Sequence, residues 1–184
     1  KKAYLTQSWQ LYAEAAMPAL ERLYTMAPSF RAEKSRTRRH LTEFWHAEME
    51  IAWASNNEVM QHGEGVVRNI ARTLLDDRSE ELESLGRDLS LVERYAESEY
   101  PRIRYDEAVE TLQAKGVEIE WGQDLDYSKE KVLTADFDVP HFLTHYPRVA
   151  KPFYHRPDPD DPKYVLCHDL LAPEGYGEII GGGE

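Results

Sequence analysis

FRAEKSRTRRHLTEFWHAEMEIAW, residues 30–53, is the stretch on which the reading of this 184-residue chain turns. Arg31, Lys34, Arg36, Arg38 and Arg39 crowd together here, although the chain carries a formal charge of -12 and a pI near 5.1. Beyond them the residues alternate. Trp45, Ala47, Met49, Ile51 and Trp53 fall on one side of an extended chain, and Phe44, His46, Glu48 and Glu50 on the other. The preceding run, RLYTMAPSFRAE, also reads as a strand, with Ser29, Arg31 and Glu33 facing one way and Phe30 and Ala32 the other. Together they predict an antiparallel hairpin with a long cationic tip, its apolar face on a core and its polar face lining a site.

Working outward, 184 residues with 41% hydrophobic and 11% aromatic content suffice for one proper core, so one domain or a large part of one is expected. The acidic balance argues against a protein that coats nucleic acid non-specifically, which needs cations spread over a surface; a polyanion must be met locally. Cys167 is the only cysteine, which excludes an intrachain disulfide and a thiolate zinc cage and fits a reducing cytoplasm. No run of about eighteen apolar residues occurs, so neither a signal segment nor a membrane span is expected. The chain opens on the strand-like AYLTQ and stops at EIIGGGE just after an apolar pair, which suggests part of a longer protein.

Ser8 is a candidate cap for a helix through WQLYAEAAM, with Leu11, Ala15 and Trp9 on its apolar side, Gln10 and Glu14 sharing a face, and Pro18 ending it. From Asn57 to Leu85 the spacing of Val59, Val66, Ile70 and Leu74 is helical, weakened by Gly63 and Gly65. YPRIRYDEAVETLQAKG predicts a short strand, a helix to Lys115 and a stop at Gly116. FDVPHFLTHYP, KPFYHRP, KYVLCHDLLAP and YGEIIGG predict strands, with PDPDDP as a tight turn. The sum is an α+β domain, an antiparallel β-sheet flanked by helices.

Such a hairpin suits a nucleotide. Arg31 and Arg39 can aim guanidinium forks at phosphate oxygens, Phe44 offers a surface for a base, and Glu33 can accept from an exocyclic amine or a ribose hydroxyl. The plainer alternative, a solvated basic turn beside a sheet, is left open by periodicity alone.

The same stretch resembles motif 2 of the class II aminoacyl-tRNA synthetases, in the subgroup that handles aspartate, asparagine and lysine: Phe-Arg-x-Glu opens it and Arg-His-Leu-x-Glu-Phe follows. YLTQSWQLYAEA upstream and HYPRVAKPFYHRPDPDDPKYVLCHDLLAPEGYGEIIGG downstream resemble that subgroup too, in the manner of archaeal or Thermus-like asparagine enzymes. The resemblance implies a class II catalytic domain in part, with motif 2 at 30–53 and a helical insertion at about 55–115, and with motif 1, motif 3 and the anticodon-binding domain outside the chain. Family members usually have a serine, then glutamine and arginine, after the diglycine; here Gly183 and Glu184 follow and the chain ends.

It further implies an ATP-dependent activation of L-asparagine and its transfer to tRNA(Asn), by a cytoplasmic homodimer using Mg2+. Arg31 would be the catalytic arginine on the ATP α-phosphate, Glu33 would meet the adenine end or the tRNA terminus, Arg39 and His40 the outer phosphates, and Phe44 the adenine. Asp169 and Glu178 match the family's magnesium-binding carboxylates, Glu178 also lying against ATP; Glu50 is a further candidate near the metal or the adenosine. Gln10 would hold the α-amino group of the amino acid. Aspartate enzymes of the family carry a lysine where Ala13 stands, so Glu14 beside it favours an amide over a carboxylate. Pro152 leans the other way, and a related enzyme that activates aspartate to make asparagine, or a non-catalytic synthetase-derived module, are the alternatives. His46, His62, His141, His145, His155 and His168 are expected to be structural or at the surface, and the Met and Trp side of the hairpin to be core.

Overall fold

The computed structural model describes residues 2–32 and 41–184, which form two compact units, residues 1–54 and residues 55–184. The first unit holds helix α1 (Gln10–Ala16) and strands β1 (Arg22–Phe30) and β2 (Glu43–Ile51). The strands pair antiparallel in one unbroken register, from Arg22 opposite Ile51 to Phe30 opposite Glu43, as the alternation predicts. AYLTQ forms no strand; the Phe30 amide donates to the Thr6 carbonyl at 2.9 Å. Helix α1 ends before Pro18, with the Met17 amide donating to the carbonyls of Ala13 and Glu14.

The two faces of the hairpin, however, are covered the opposite way from the expectation. Trp45 is 73% exposed, Tyr24 81% and Met26 59%, while Phe44, His46, Glu48 and Glu50 are half-buried. Alternation separates two faces but does not say which one another element will cover, and here α1 packs on the polar face. The helix itself is turned in the same sense. Ala13 is fully buried whereas Leu11 is 63% exposed, so Leu11 and Ala15 are not its covered side.

The second unit contains α2 (Asn56–Ser84), α3 (Leu89–Glu97), β3 (Arg102–Arg104), α4 (Tyr105–Ala114), α5 (Tyr127–Thr134), β4 (His141–Thr144), β5 (Cys167–Ala172) and β6 (Gly177–Gly183). Its sheet runs β3-β4-β5-β6, antiparallel except for the parallel β3–β4 pair. A reciprocal cap starts α2: Glu58 N donates to Ser55 Oγ at 3.4 Å and Ser55 N to Glu58 Oε2 at 2.8 Å. The helix runs through Gly63, which packs beside Ile180 of β6 with its Cδ1 3.6 Å from where a Cβ would stand; it kinks at Arg78 (φ -140, ψ 19). Asp126 caps α5, accepting from the amides of Ser128 and Lys129 at 2.9 and 3.1 Å.

Strand β5 is buried along its whole length because both faces of the sheet are covered. Leu143, Cys167 and Leu171 pack with Tyr105, Leu112 and Leu133 of α4 and α5, while Phe142 and Leu170 pack with Met60 of α2 and with Tyr100. The expected strand at KPFYHRP is absent. A 3₁₀ turn (Arg148–Ala150) precedes it, and Pro157, which cannot donate to a ladder, makes only an isolated bridge with Val165. Among the described residues no helix is long and apolar enough to cross a membrane.

Candidate functional site

Within the first unit, the covered face of β2 carries Phe44, His46, Glu48 and Glu50 in a row, each two residues from the last. Arg31 continues the row beyond β1: its guanidinium lies 5.4 Å from the Phe44 ring centroid, and its amide donates to the Thr42 carbonyl at 2.9 Å. The expected phosphate fork and base platform therefore share one patch. His46 stands 5.3 Å from Phe44, ring to ring, with Nδ1 3.2 Å from Ser29 Oγ and 3.4 Å from Glu48 Oε2. Burial holds this imidazole below its ordinary range, opposed by Glu48 and reinforced by Arg31.

Glu48 then binds the start of α1. Ser8 Oγ donates to its Oε1 at 2.5 Å, and the Trp9 amide lies 3.0 Å from both carboxylate oxygens. Ser8 Oγ also accepts from the Gln10 amide at 3.1 Å, so Ser8 does act at the helix start, one residue before the Trp9 cap position. Beyond this anchor Gln10 Nε2 donates to Glu14 Oε1 at 3.3 Å, the face-sharing pair read from the sequence. Burial first, then the carboxylates of Glu14 and Glu48, push Glu50 up to about 7. Gln10, Glu14 and Glu50 thus form a carboxylate-rich corner suited to an ammonium or an amide. Glu33, Arg39 and His40 lie outside the described residues.

Asp169 and Glu178 sit in the second unit, on β5 and β6, and a break in the ladder brings them to one face. Leu170 lies opposite Ile180 but Leu171 opposite Glu178, which leaves Ile179 unopposed. Asp169 and Leu171 project from the same face of β5, so their partners Gly181 and Glu178 share it. In an unbroken strand two residues three apart would point to opposite sides. Gly181 keeps the space between the carboxylates open: a Cβ there would stand 2.8 Å from Glu178 Oε1 and 3.4 Å from Asp169 Oδ1. Glu130 reaches the same strand end, accepting from the Glu178 amide at 3.1 Å.

The other oxygen of Asp169 is engaged by Lys151, whose Nζ donates to Oδ2 at 2.7 Å, lies 3.9 Å from the Tyr146 ring centroid and is 3.8 Å from Asp124 Oδ1. Burial alone would pull this ammonium down, but Asp169 and then Asp124 outweigh it and hold the lysine above its usual value. Asp169 and Glu178 are hard oxygen donors on one face of the sheet, a set a magnesium ion accepts when phosphates complete its shell. They are no cage by themselves. Among the described residues no three His, Cys, Asp or Glu side chains gather to hold a metal.

A family profile of tRNA synthetases class II (D, K and N) matches residues 1–184. The chain belongs to this synthetase family. It is 52% identical over 184 residues to the asparagine-tRNA ligase of Thermococcus gammatolerans, covering 100% of this chain and 43% of that synthetase. The asparaginyl-tRNA synthetase of Pyrococcus horikoshii in its crystal structure with asparaginyl-adenylate superposes at a TM-score of 0.94, with 52% identity over 98% of this chain and 42% of that one. An aspartyl-tRNA synthetase from Entamoeba histolytica gives a TM-score of 0.81 at 31% identity, over 98% of this chain and 38% of that one. The chain thus spans about two fifths of the length of these synthetases.

Within this synthetase fold the structure groups Arg31 with Phe44, Gln10 with Glu14, and Asp169 with Glu178. Of the six histidines expected to be structural or at the surface, His141 and His168 are buried, His46, His145 and His155 half-buried, and His62 is at the surface. Glu48 and Lys151 were not singled out by sequence reasoning, and Ser8 only as a helix cap. For Glu48 a signal existed, its place in the alternating row. For Lys151 none did, because the segment that carries it has no periodicity.

Proposed function

We propose that this chain is part of the catalytic domain of an asparagine-tRNA ligase, which joins L-asparagine to ATP as asparaginyl-adenylate and passes it to tRNA(Asn). The observation that carries the reading is the identity of 52% over 98% of the chain, and a TM-score of 0.94, to a synthetase solved with asparaginyl-adenylate. The motif 2 hairpin at 30–53, the helical insertion at about 55–115, a cytoplasmic homodimer as the working form, and motif 1, motif 3 and an anticodon-binding domain supplied outside residues 1–184 belong to the same proposal.

In this reading the asparagine carboxylate attacks the α-phosphorus of ATP and pyrophosphate leaves, a reaction that needs positioning and charge neutralisation rather than a protein nucleophile. Arg31 leaves the Phe44 ring to fork the α-phosphate, the catalytic role, and Phe44 supports the adenine. Glu33, Arg39 and His40 complete the ATP site at the adenine end and the outer phosphates. Gln10 orients the α-amino group, and Glu14 accepts a hydrogen bond from the side-chain amide while repelling the carboxylate of aspartate. Asp169 and Glu178 hold Mg2+, which when bound neutralises phosphate charge.

Pyrophosphate exchange on the intact protein, run separately with asparagine and aspartate, tests this. Asparagine-dependent exchange is expected; exchange only with aspartate, or none, would overturn it. Glu14→Lys is expected to lower kcat/KM for asparagine by about a hundredfold or more, since it removes an acceptor and leaves the amide facing a cation.

A further inference from the structure

We infer that Lys151 is the resident countercation of Asp169, and that it keeps a divalent cation from settling on that carboxylate until a nucleotide arrives with it. The inference rests on the reading of Asp169 and Glu178 as metal ligands. Its geometry lies wholly within residues 55–184. The Lys151 ammonium sits 2.7 Å from Asp169 Oδ2, and the two side chains are 13% and 12% exposed. Asp124 at 3.8 Å and the Tyr146 ring at 3.9 Å complete an anionic and aromatic cradle for it.

With Lys151 on one oxygen, Asp169 presents only Oδ1 toward Gly181 and Glu178. A bare divalent cation on Oδ1 meets a like charge a few ångströms away, across a carboxylate only 12% exposed, where water screens the repulsion less than at the surface. A triphosphate changes the balance, because its oxygens bring enough negative charge to hold both cations. Metal loading thereby depends on nucleotide. A purely structural ion pair would make no such difference: its loss would lower stability and leave metal affinity alone.

Titration of the intact protein with Mn2+, a paramagnetic cation that takes the same oxygen ligands as Mg2+, followed by electron paramagnetic resonance, tests this. Without nucleotide, Lys151→Met is expected to bind Mn2+ about tenfold or more tightly than wild type, a gain that disappears when Asp169→Asn is added. Lys151→Arg, which keeps the charge, is expected to match wild type, and with ATP present all forms retaining Asp169 are expected to agree within about threefold. Should Lys151→Met fail to fold by circular dichroism, Lys151→Gln carries the same expectation. Equal nucleotide-free affinity of wild type and the neutral variant, alongside Asp169-dependent binding with ATP, overturns the role of Lys151 and leaves the metal reading standing. Binding with ATP that ignores Asp169 overturns the metal reading, and this inference with it.

Discussion

Gly181 and Gly182 are neighbours on β6 with unlike surroundings. An alanine at 181 would press on Glu178 Oε1 at 2.8 Å, the end of a side chain that can swing away, so stability is expected to stay within about 1 kcal/mol of wild type while Mg2+-dependent adenylate formation falls about tenfold. An alanine at 182 would instead stand 2.9 Å from His168 Nε2, on a buried ring fixed by Asn56 Oδ1 at 2.7 Å, and is expected to cost about 1–3 kcal/mol in thermal unfolding. A second pair of measurements belongs to Arg31. Arg31→Lys keeps a charge but loses the planar fork, and a drop in pyrophosphate exchange of about a hundredfold with little change in melting temperature is expected. That Arg31 and Phe44 would meet on the hairpin, and Gln10 and Glu14 on one helix face, was legible from spacing, whereas the particular roles expected of them came only from the resemblance to the synthetase family. The part played by Glu48 was not legible, since its value depends on which backbone amides the folded chain brings to it.

Helix α1 is short, and its position on the hairpin is tied to Glu48 through Ser8 and the Trp9 amide. Glu48→Ala leaves those donors without their acceptor, so the helix bearing Gln10 and Glu14 should loosen while Arg31 and Phe44 keep their strands. Steady-state kinetics are expected to show the asparagine KM raised about tenfold and the ATP KM within about threefold. The pairing of β1 with β2 and the run of α2 could be read from periodicity, which records faces and length. The ladder break at Ile179 could not. Strict alternation through YGEIIGG would send Glu178 and Gly181 to opposite sides, and only the pairing with β5 shows otherwise. Helix α5 was likewise missed, because Leu133 and Val132 are too few to set a helical stripe in a segment of eight residues.

For the molecule as a whole, acid should be the weak side. His141 and His168 are buried on β4 and β5, and burial holds both at about 4 against an ordinary 6.5; Val139 lies close to His141 without giving either ring nitrogen a well-formed hydrogen bond. As pH falls from 6.5 to 4 the unfolded chain takes up these protons and the folded chain does not, so stability present above pH 6.5 is lost through that window, by about 3 kcal/mol per histidine at most. Urea titrations at pH 7.5 and pH 4.5 are expected to show the difference, with a smaller loss in His141→Phe. The α+β class was legible in the chain; the covered side of the hairpin was not, because burial is decided by what packs on a sheet rather than by the strand itself. That side has an optical consequence. None of the four tryptophans is buried, and Trp45 on the uncovered face of β2 is 73% exposed, so emission should lie at water-like wavelengths and shift in part to the blue when anything covers that face, a built-in reporter of assembly that needs no dye.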